Sequence, residues 1–283
     1  MKEFDIKKTD LLNFTMDLAL ETGELLKKYA RKKNSFSHFL KKGHGVQCDA
    51  DLASEDFIIG KIKKNYPKHL ILSEEKNSQD YQNKSLQKTF LESPFTWIID
   101  PLDGTTNYLR GLDYYSISIA LLKEGKLYLG VVYRPCMEEI YYALEGKGAY
   151  YSQGENDLER IKGERLDLES KGFNEIDLQE SIWSGGGKIS PISSRIRTRR
   201  ILGCASYEIC CVSRGGFDGF YKLGPSPWDF AASALICHEA GAYVSNRFPE
   251  KSIEKDPFSS FDLFIPSILA VNRTFLEKIV GHH

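Results

Sequence analysis

The chain has no surplus of charge of either sign. Its 38 lysines and arginines stand against 39 aspartates and glutamates, a formal net charge of -1 over 283 residues. That balance excludes a global field that would recruit nucleic acid or anionic lipid, so a nucleic-acid partner is not expected and any anionic ligand must be held by local groups. Long hydrophobic runs are missing as well. The stretch from Ile117 to Leu122 falls far short of the ~20 apolar residues needed to cross a bilayer. No basic-then-apolar leader opens the chain at Met1-Lys-Glu-Phe-Asp5, which points to a cytoplasmic protein with no membrane partner. The six cysteines, Cys48, Cys136, Cys204, Cys210, Cys211 and Cys237, include no Cys-x-x-Cys pair. This argues against a disulfide framework or zinc motif and for scattered reduced thiols. His38, His44, His69 and His238 lack ligand spacing, and His282 and His283 read as the remnant of a purification tag. Repeats and low-complexity tracts are also absent.

What is present is ordinary globular material, 41% hydrophobic and 27% charged, enough for one broad core or two half-size units. Leu11, Phe14, Leu18, Leu25 and Tyr29 recur at helical spacing and predict a helix over 10–31, with Thr9 or Asp10 as N-cap. A loop of small, basic and polar residues, including Lys41-Lys-Gly-His-Gly45, precedes a second helix over 51–66 that Pro67 ends. A short strand over 69–72 runs into Ser73-Glu-Glu75, and the polar stretch 76–88 reads as a surface loop or irregular helix. Another short strand, 95–99, leads into Asp100-Pro-Leu-Asp-Gly104. Alternating residues from Tyr115 to Tyr151 predict a hairpin meander, and the polar stretch 152–180 reads as the joint between two halves. Beyond it, short strands at 181–187, 217–223 and 267–271 alternate with helices at 205–214 and 230–240, the latter closed by Gly241. A terminal helix follows. This is the pattern of a sheet with helices on its faces.

The acidic residues of interest fall at strand ends and helix starts. Asp100 and Asp103 flank a Pro-Leu pair just after an apolar strand, and such a turn aims both carboxylates and the Leu102 carbonyl into one small space. Magnesium takes hard oxygen ligands, usually a few carboxylates plus water and substrate phosphate. Two carboxylates and one carbonyl within four residues supply half such a shell. Glu74 and Glu75 also follow a strand, and Asp229 stands at the start of a helix. Singly, Asp100-Pro and Asp103-Gly are common turn pairs, Asp229 an N-cap and Glu74-Glu75 a solvated pair. Together they point to a metal-binding site.

The segment Trp97-Ile-Ile-Asp-Pro-Leu-Asp-Gly-Thr-Thr-Asn107 resembles the first signature of the inositol monophosphatase family of lithium-sensitive magnesium phosphatases. Pro227-Trp-Asp-Phe-Ala-Ala232 with Glu239-Ala-Gly241 resembles the second. Ala50-Asp51 with Ser54-Glu55, and Ser73-Glu-Glu75, are similar to two further blocks. The resemblance implies a layered α/β/α/β/α sandwich of the sugar-phosphatase type, an α+β half over 1–150 and an α/β half over 151–283. It implies two or three Mg2+ ions per site. Glu74, Asp100 and the Leu102 carbonyl would hold the first, and Asp100, Asp103 and Asp229 the second. Asp51 would orient Thr105 and reach a third ion through water, while Glu74 and Thr105 position the attacking water. Substrate contacts would come from Asp103, Gly104, Thr105, Thr106, Gly203, Cys204, Ala205, Lys222 and Asp229. The implied partner is a small phosphorylated metabolite, the implied assembly a homodimer, and lithium an expected inhibitor.

Four positions depart from the family pattern. Lys222 stands where many members carry a glutamate that contacts substrate hydroxyls. Cys204 replaces a common threonine or serine, Arg110 a frequent histidine, and Asp49 a neutral residue or glutamate. Lys222 reads either as a solvated lysine at a strand end or as a cation favouring substrates with a second anionic group. The expected reaction is hydrolysis of an inositol, sugar or nucleotide monophosphate. The alternatives are a bisphosphatase for fructose 1,6-bisphosphate or a 3′,5′-bisphosphonucleotide, and a relative with a regulatory binding role.

Overall fold

Strands buried on both faces read as almost unbroken apolar runs, and the segment Ser116–Lys123 is such a case. The structure is a computed structural model that describes residues 9–31, 38–40, 46–77, 81–154, 163–171, 177–186, 194–248, 258, 262, 264 and 267–280. The basic residues Lys41 to Gly45, Gly187, His282 and His283 lie outside them. In chain order the elements are α1 (Thr9–Ala30), β1 (His38–Leu40), β2 (Val46–Cys48), α2 (Asp49–Asn65), β3 (Leu70–Ser73), α3 (Glu74–Asn77), α4 (Lys84–Glu92), β4 (Phe95–Asp103) and α5 (Thr105–Arg110). The meander follows as β5 (Ser116–Lys123), β6 (Lys126–Arg134), β7 (Glu139–Leu144), β8 (Gly148–Gln153) and β9 (Glu164–Leu166). The remainder comprises β10 (Ile182–Ser184), β11 (Thr198–Arg200), α6 (Ala205–Arg214), β12 (Gly219–Leu223), α7 (Pro227–Glu239), β13 (Tyr243–Ser245), β14 (Ser267–Val271) and α8 (Leu276–Val280).

Strands β3 to β9 form a seven-stranded sheet in sequence order, parallel between β3 and β4 and antiparallel from there on. The second sheet has the order β11-β10-β12-β14-β13 and mixes parallel with antiparallel pairs. Side-chain alternation decides what each face meets. Trp97, Ile99, Ile117, Ile119 and Leu121 pack with Leu12, Leu18, Leu26 and Ile58 of α1 and α2. Their neighbours Ile98, Ala120, Leu122 and Val132 pack on the other side with Ile209 of α6, Phe230 and Leu235 of α7, and Phe220 and Ile268 of the second sheet. The outer face of that sheet, through Trp183, Tyr221 and Leu269, is covered by Phe275, Leu276 and Ile279. Helix pair, sheet, helix pair, sheet and helix give the expected α/β/α/β/α layering. Gly130 makes the close packing possible, because a Cβ there would stand 2.5 Å from the Ala232 carbonyl oxygen of α7.

Several local expectations are corrected. The stretch read as a loop or irregular helix contains α4, which Asn83 starts by accepting the N–H groups of Ser85 and Leu86. The joint after residue 152 is not wholly linker, since β9 adds to the first sheet through pairing with β8. Helix α7 begins three residues before the predicted start. Pro227 occupies its first turn, where the missing N–H costs nothing, and Asp229 is therefore a residue inside the helix and not its N-cap.

Candidate active site

The Pro-Leu pair of the first signature is a bulge within β4 and not a turn. Asp100 pairs with Ser118 and Asp103 with Ser116, so three steps on β4 match two on β5. In a regular strand, residues three apart point to opposite faces. The extra residue cancels that alternation: Leu102 goes into the α1/α2 core, while Asp103 reaches α6 on the other side. Gly104 then turns the chain into α5 with φ of +91°, a conformation that favours glycine. A Cβ there would also lie 2.7 Å from the Tyr114 carbonyl oxygen and 3.3 Å from that of Gly203.

Asp100 is buried and its Oδ1 accepts the Leu102 N–H at 3.0 Å. Burial first, then the charges of Glu74, Asp103 and Asp229, push its carboxyl well above the usual aspartate range. Asp103 Oδ2 accepts from the Ser206 N–H at 2.7 Å and hydroxyl at 2.6 Å, with the Cys204 thiol at 3.3 Å. Burial, followed by Asp229, raises its pKa too, with Ser206 and Lys222 opposing. Asp51 Oδ1 accepts the Thr105 hydroxyl at 2.8 Å, and its Oδ2 accepts the Cys48 N–H at 2.7 Å. The Thr105 hydroxyl lies 3.1 Å from the Leu102 carbonyl oxygen as well. The two residues thus meet across 54 positions of sequence.

Asp229 Oδ2 receives the Lys222 ammonium at 2.6 Å and the Ser226 N–H at 3.2 Å. Burial pulls the Lys222 pKa down, but Asp229, then Asp103 and Asp100, outweigh it and leave it raised. Lys222 is therefore not a solvated strand-end lysine. Arg110 and Thr106 are exposed, Gly104 and Thr105 half-buried, and Asp49 sits in the first turn of α2.

Two site-shaping residues escaped sequence reasoning. Ser206 anchors Asp103 from the first turn of α6. Buried Glu208 accepts the N–H groups of Leu202, Gly203 and Cys204 on Oε1 at 3.1, 2.9 and 3.4 Å. Its Oε2 accepts the Ser184 hydroxyl and the Gly185 N–H. The signal was an acid four positions after Cys204 inside an otherwise apolar helix face. Its consequence is the orientation of the 203–205 block. The N–H groups of Gly203 and Cys204 are turned inward to Glu208, and the Cys204 side chain is fully buried against Ser116 and Asp103. Of that block, Gly203 is exposed and Ala205 half-buried.

Asp100 thus feels the charges of Glu74 on α3, Asp103 on β4 and Asp229 on α7, and Asp103 that of Asp229, so one strand and two helices converge on the site. Among the described residues no three histidine, cysteine, aspartate or glutamate side chains already close into a coordination shell. Like charges repel, and Asp100, Asp103 and Asp229 each lean on a protein donor. The profile of the inositol monophosphatase family matches residues 7–282. The chain belongs to the inositol monophosphatase family. It is 31% identical over 247 residues to the Nus factor SuhB of Pasteurella multocida, covering 83% of this chain and 84% of that one. It is 31% identical over 276 residues to inositol monophosphatase 3 of Solanum lycopersicum, covering 95% and 94%. The staphylococcal SaIMPase-II with bound 2′-AMP superposes with a TM-score of 0.72 at 26% identity, over 96% of this chain and 92% of that one. As a member of the inositol monophosphatase family the chain is a phosphatase, and that family is metal-dependent. No helix among the described residues is long and apolar enough to cross a membrane.

Proposed function

We propose that the chain hydrolyses small phosphate monoesters with magnesium, at the carboxylates of Glu74, Asp100, Asp103 and Asp229. The observation that carries this reading is the crowding of four acids, Asp100 and Asp103 buried and Glu74 and Asp229 half-buried, in which burial first and the neighbouring carboxylates second push Asp100 well above its ordinary pKa. Burying like charges together is unfavourable unless a cation offsets them. The donors are all hard oxygens, as magnesium requires, so the residues fit the ion. Glu74, Asp100 and the Leu102 carbonyl would hold one ion, and Asp100, Asp103 and Asp229 a second; a third would be reached from Asp51 through water. Bound there, magnesium supplies charge neutralisation for the phosphoryl oxygens and a lowered pKa for water.

The chain's own groups do the positioning that phosphoryl transfer chiefly needs. Asp51 fixes the Thr105 hydroxyl, and with Glu74 that hydroxyl orients the attacking water. The N–H groups at the start of α5, at Gly104, Thr105 and Thr106, would donate to phosphate oxygens. No serine, cysteine or histidine nucleophile is needed. SaIMPase-II bound to 2′-AMP and the tomato inositol monophosphatase support a nucleotide, polyol or sugar monophosphate as substrate.

The test is phosphate release from a panel of such monoesters and of bisphosphates. Activity should be lost in excess chelator and restored by magnesium; full turnover in chelator sinks the reading. Lithium should inhibit by entering between Asp103 and Asp229, and dose–response curves check this. A homodimer, which the family membership supports, is checked by light scattering. The similarity to SuhB Nus factors supports a second, regulatory binding role alongside catalysis, tested by pull-down with purified transcription components.

A further inference from the structure

Asp229 differs from the other acids of the site in what touches it. Asp51 is held by a backbone N–H and a threonine hydroxyl, and Asp103 by a serine N–H, its hydroxyl and a thiol. These donors are neutral and leave the carboxylate its charge. Asp229 instead meets a full positive charge, the Lys222 ammonium at 2.6 Å. The strand register makes this contact a built feature. On β12, Phe220 faces the α6/α7 core and Tyr221 the outer layer, so alternation points Lys222 inward with Phe220. Its side chain is 32% exposed and that of Asp229 18%, and at this depth screening by solvent is much reduced. Ser226 pins the same oxygen of Asp229 from the helix start, which fixes the carboxylate where the lysine reaches it.

We propose that Lys222 is a tethered counter-ion that competes with a divalent cation for Asp229, leaving this chain with a strong first metal position and a weakened second one. The inference rests on the metal reading above. An ion arriving between Asp103 and Asp229 must either displace the ammonium or share a carboxylate with it at contact distance, and both cost affinity. The first position, at Glu74, Asp100 and the Leu102 carbonyl, does not use Asp229 and escapes this competition. A glutamate at position 222, as in many family members, would add negative charge in place of the ammonium. This residue therefore sets how readily the second position fills.

The probe is Mn2+ titrated into the metal-stripped protein, with bound and free ion counted by calorimetry and electron paramagnetic resonance. The wild-type chain should show one tight and one much weaker site. In Lys222→Met the weak site should tighten by at least about tenfold, the size of one charge-assisted hydrogen bond, with the tight site unchanged within about threefold. Asp229→Asn should remove the weak site in either background. In chelator Lys222→Met should also melt below wild type, having lost its ion pair, and gain more from added Mn2+. Lys222→Gln gives the same comparison if the methionine variant does not fold. Equal affinities at the second site in wild type and variant overturn the counter-ion proposal and leave the metal reading standing. Failure of every protein to bind Mn2+ overturns both.

Discussion

The two arms of the site are built differently. The first arm, Asp51, Asp100, Asp103 and Thr105, comes from a bulged strand, a short helix and α2. Neutral donors fix its carboxylates: N–H groups of Cys48, Leu102 and Ser206, and the hydroxyls of Thr105 and Ser206. The second arm, Asp229 on α7, is fixed by a charge, Lys222 of β12. Neutral anchors orient an acid without neutralising it, whereas an ammonium does both. The site therefore concentrates unbalanced negative charge on the first arm, around Asp100, and spends part of the charge of the second arm internally.

The largest expected effect is on that first arm. Asp100→Asn should lower kcat at least about a thousandfold, the order lost with one preorganised electrostatic contact. Yet its melting temperature in chelator should equal or exceed that of wild type, because a like-charge cluster is relieved. The pH dependence follows from the same acid. Its folded pKa lies well above the ordinary 3.8, so the folded state binds the proton more tightly than the unfolded one. Its contribution then favours folding below the unfolded pKa and is lost as pH rises through the raised folded value. Metal-free melting temperatures should fall as pH rises from about 4, and Asp100→Asn should flatten that slope. Equal slopes in the two proteins would remove Asp100 as its source.

Gly104→Ala tests the backbone hinge of the same arm. It places a Cβ at φ +91° and 2.7 Å from the Tyr114 carbonyl oxygen, and should cost about 1–3 kcal/mol in urea unfolding. Ser206→Ala tests the neutral anchor. Asp103 would keep the Ser206 N–H and lose the hydroxyl, for about 1 kcal/mol of stability and about a tenfold fall in kcat/KM. If that loss matches Asp100→Asn, the anchor and not the charge cluster carries the arm. Arg110→Ala should be smallest. The residue is exposed, and its change should stay within about 0.5 kcal/mol, read by the same unfolding curves.

Legibility in the sequence tracked how local the cause was. The meander was readable because each hairpin pairs neighbours in the chain and alternates its side chains. Helix α6 was predicted at its observed bounds, 205–214, while α4 was obscured by its polar composition despite the Asn83 cap. The site's acids were legible as a set only through their clustering after strands and the family resemblance. Ser206 and Glu208 were not, since a serine and a glutamate on a helix look like ordinary solvated residues until the tertiary fold brings Asp103 and the 202–204 segment to them. Lys222 was visible as a departure, but its target was not.

By itself the sequence determined the long amphipathic helices, the hairpin meander and most of the later strands and helices, and that hard oxygen donors gather around Asp100-Pro-Leu-Asp-Gly104. Those follow from side-chain period, turn chemistry and composition, all local properties of the chain. Only the tertiary structure decided that the Pro-Leu pair is a bulge and not a turn, because a bulge exists relative to the partner strand β5. Only it decided that the Gly203 and Cys204 N–H groups face Glu208 and that the Lys222 ammonium rests on Asp229. Each depends on where two layers pack against each other, and a hydrogen bond or ion pair between distant segments has no counterpart in the spacing of either segment alone.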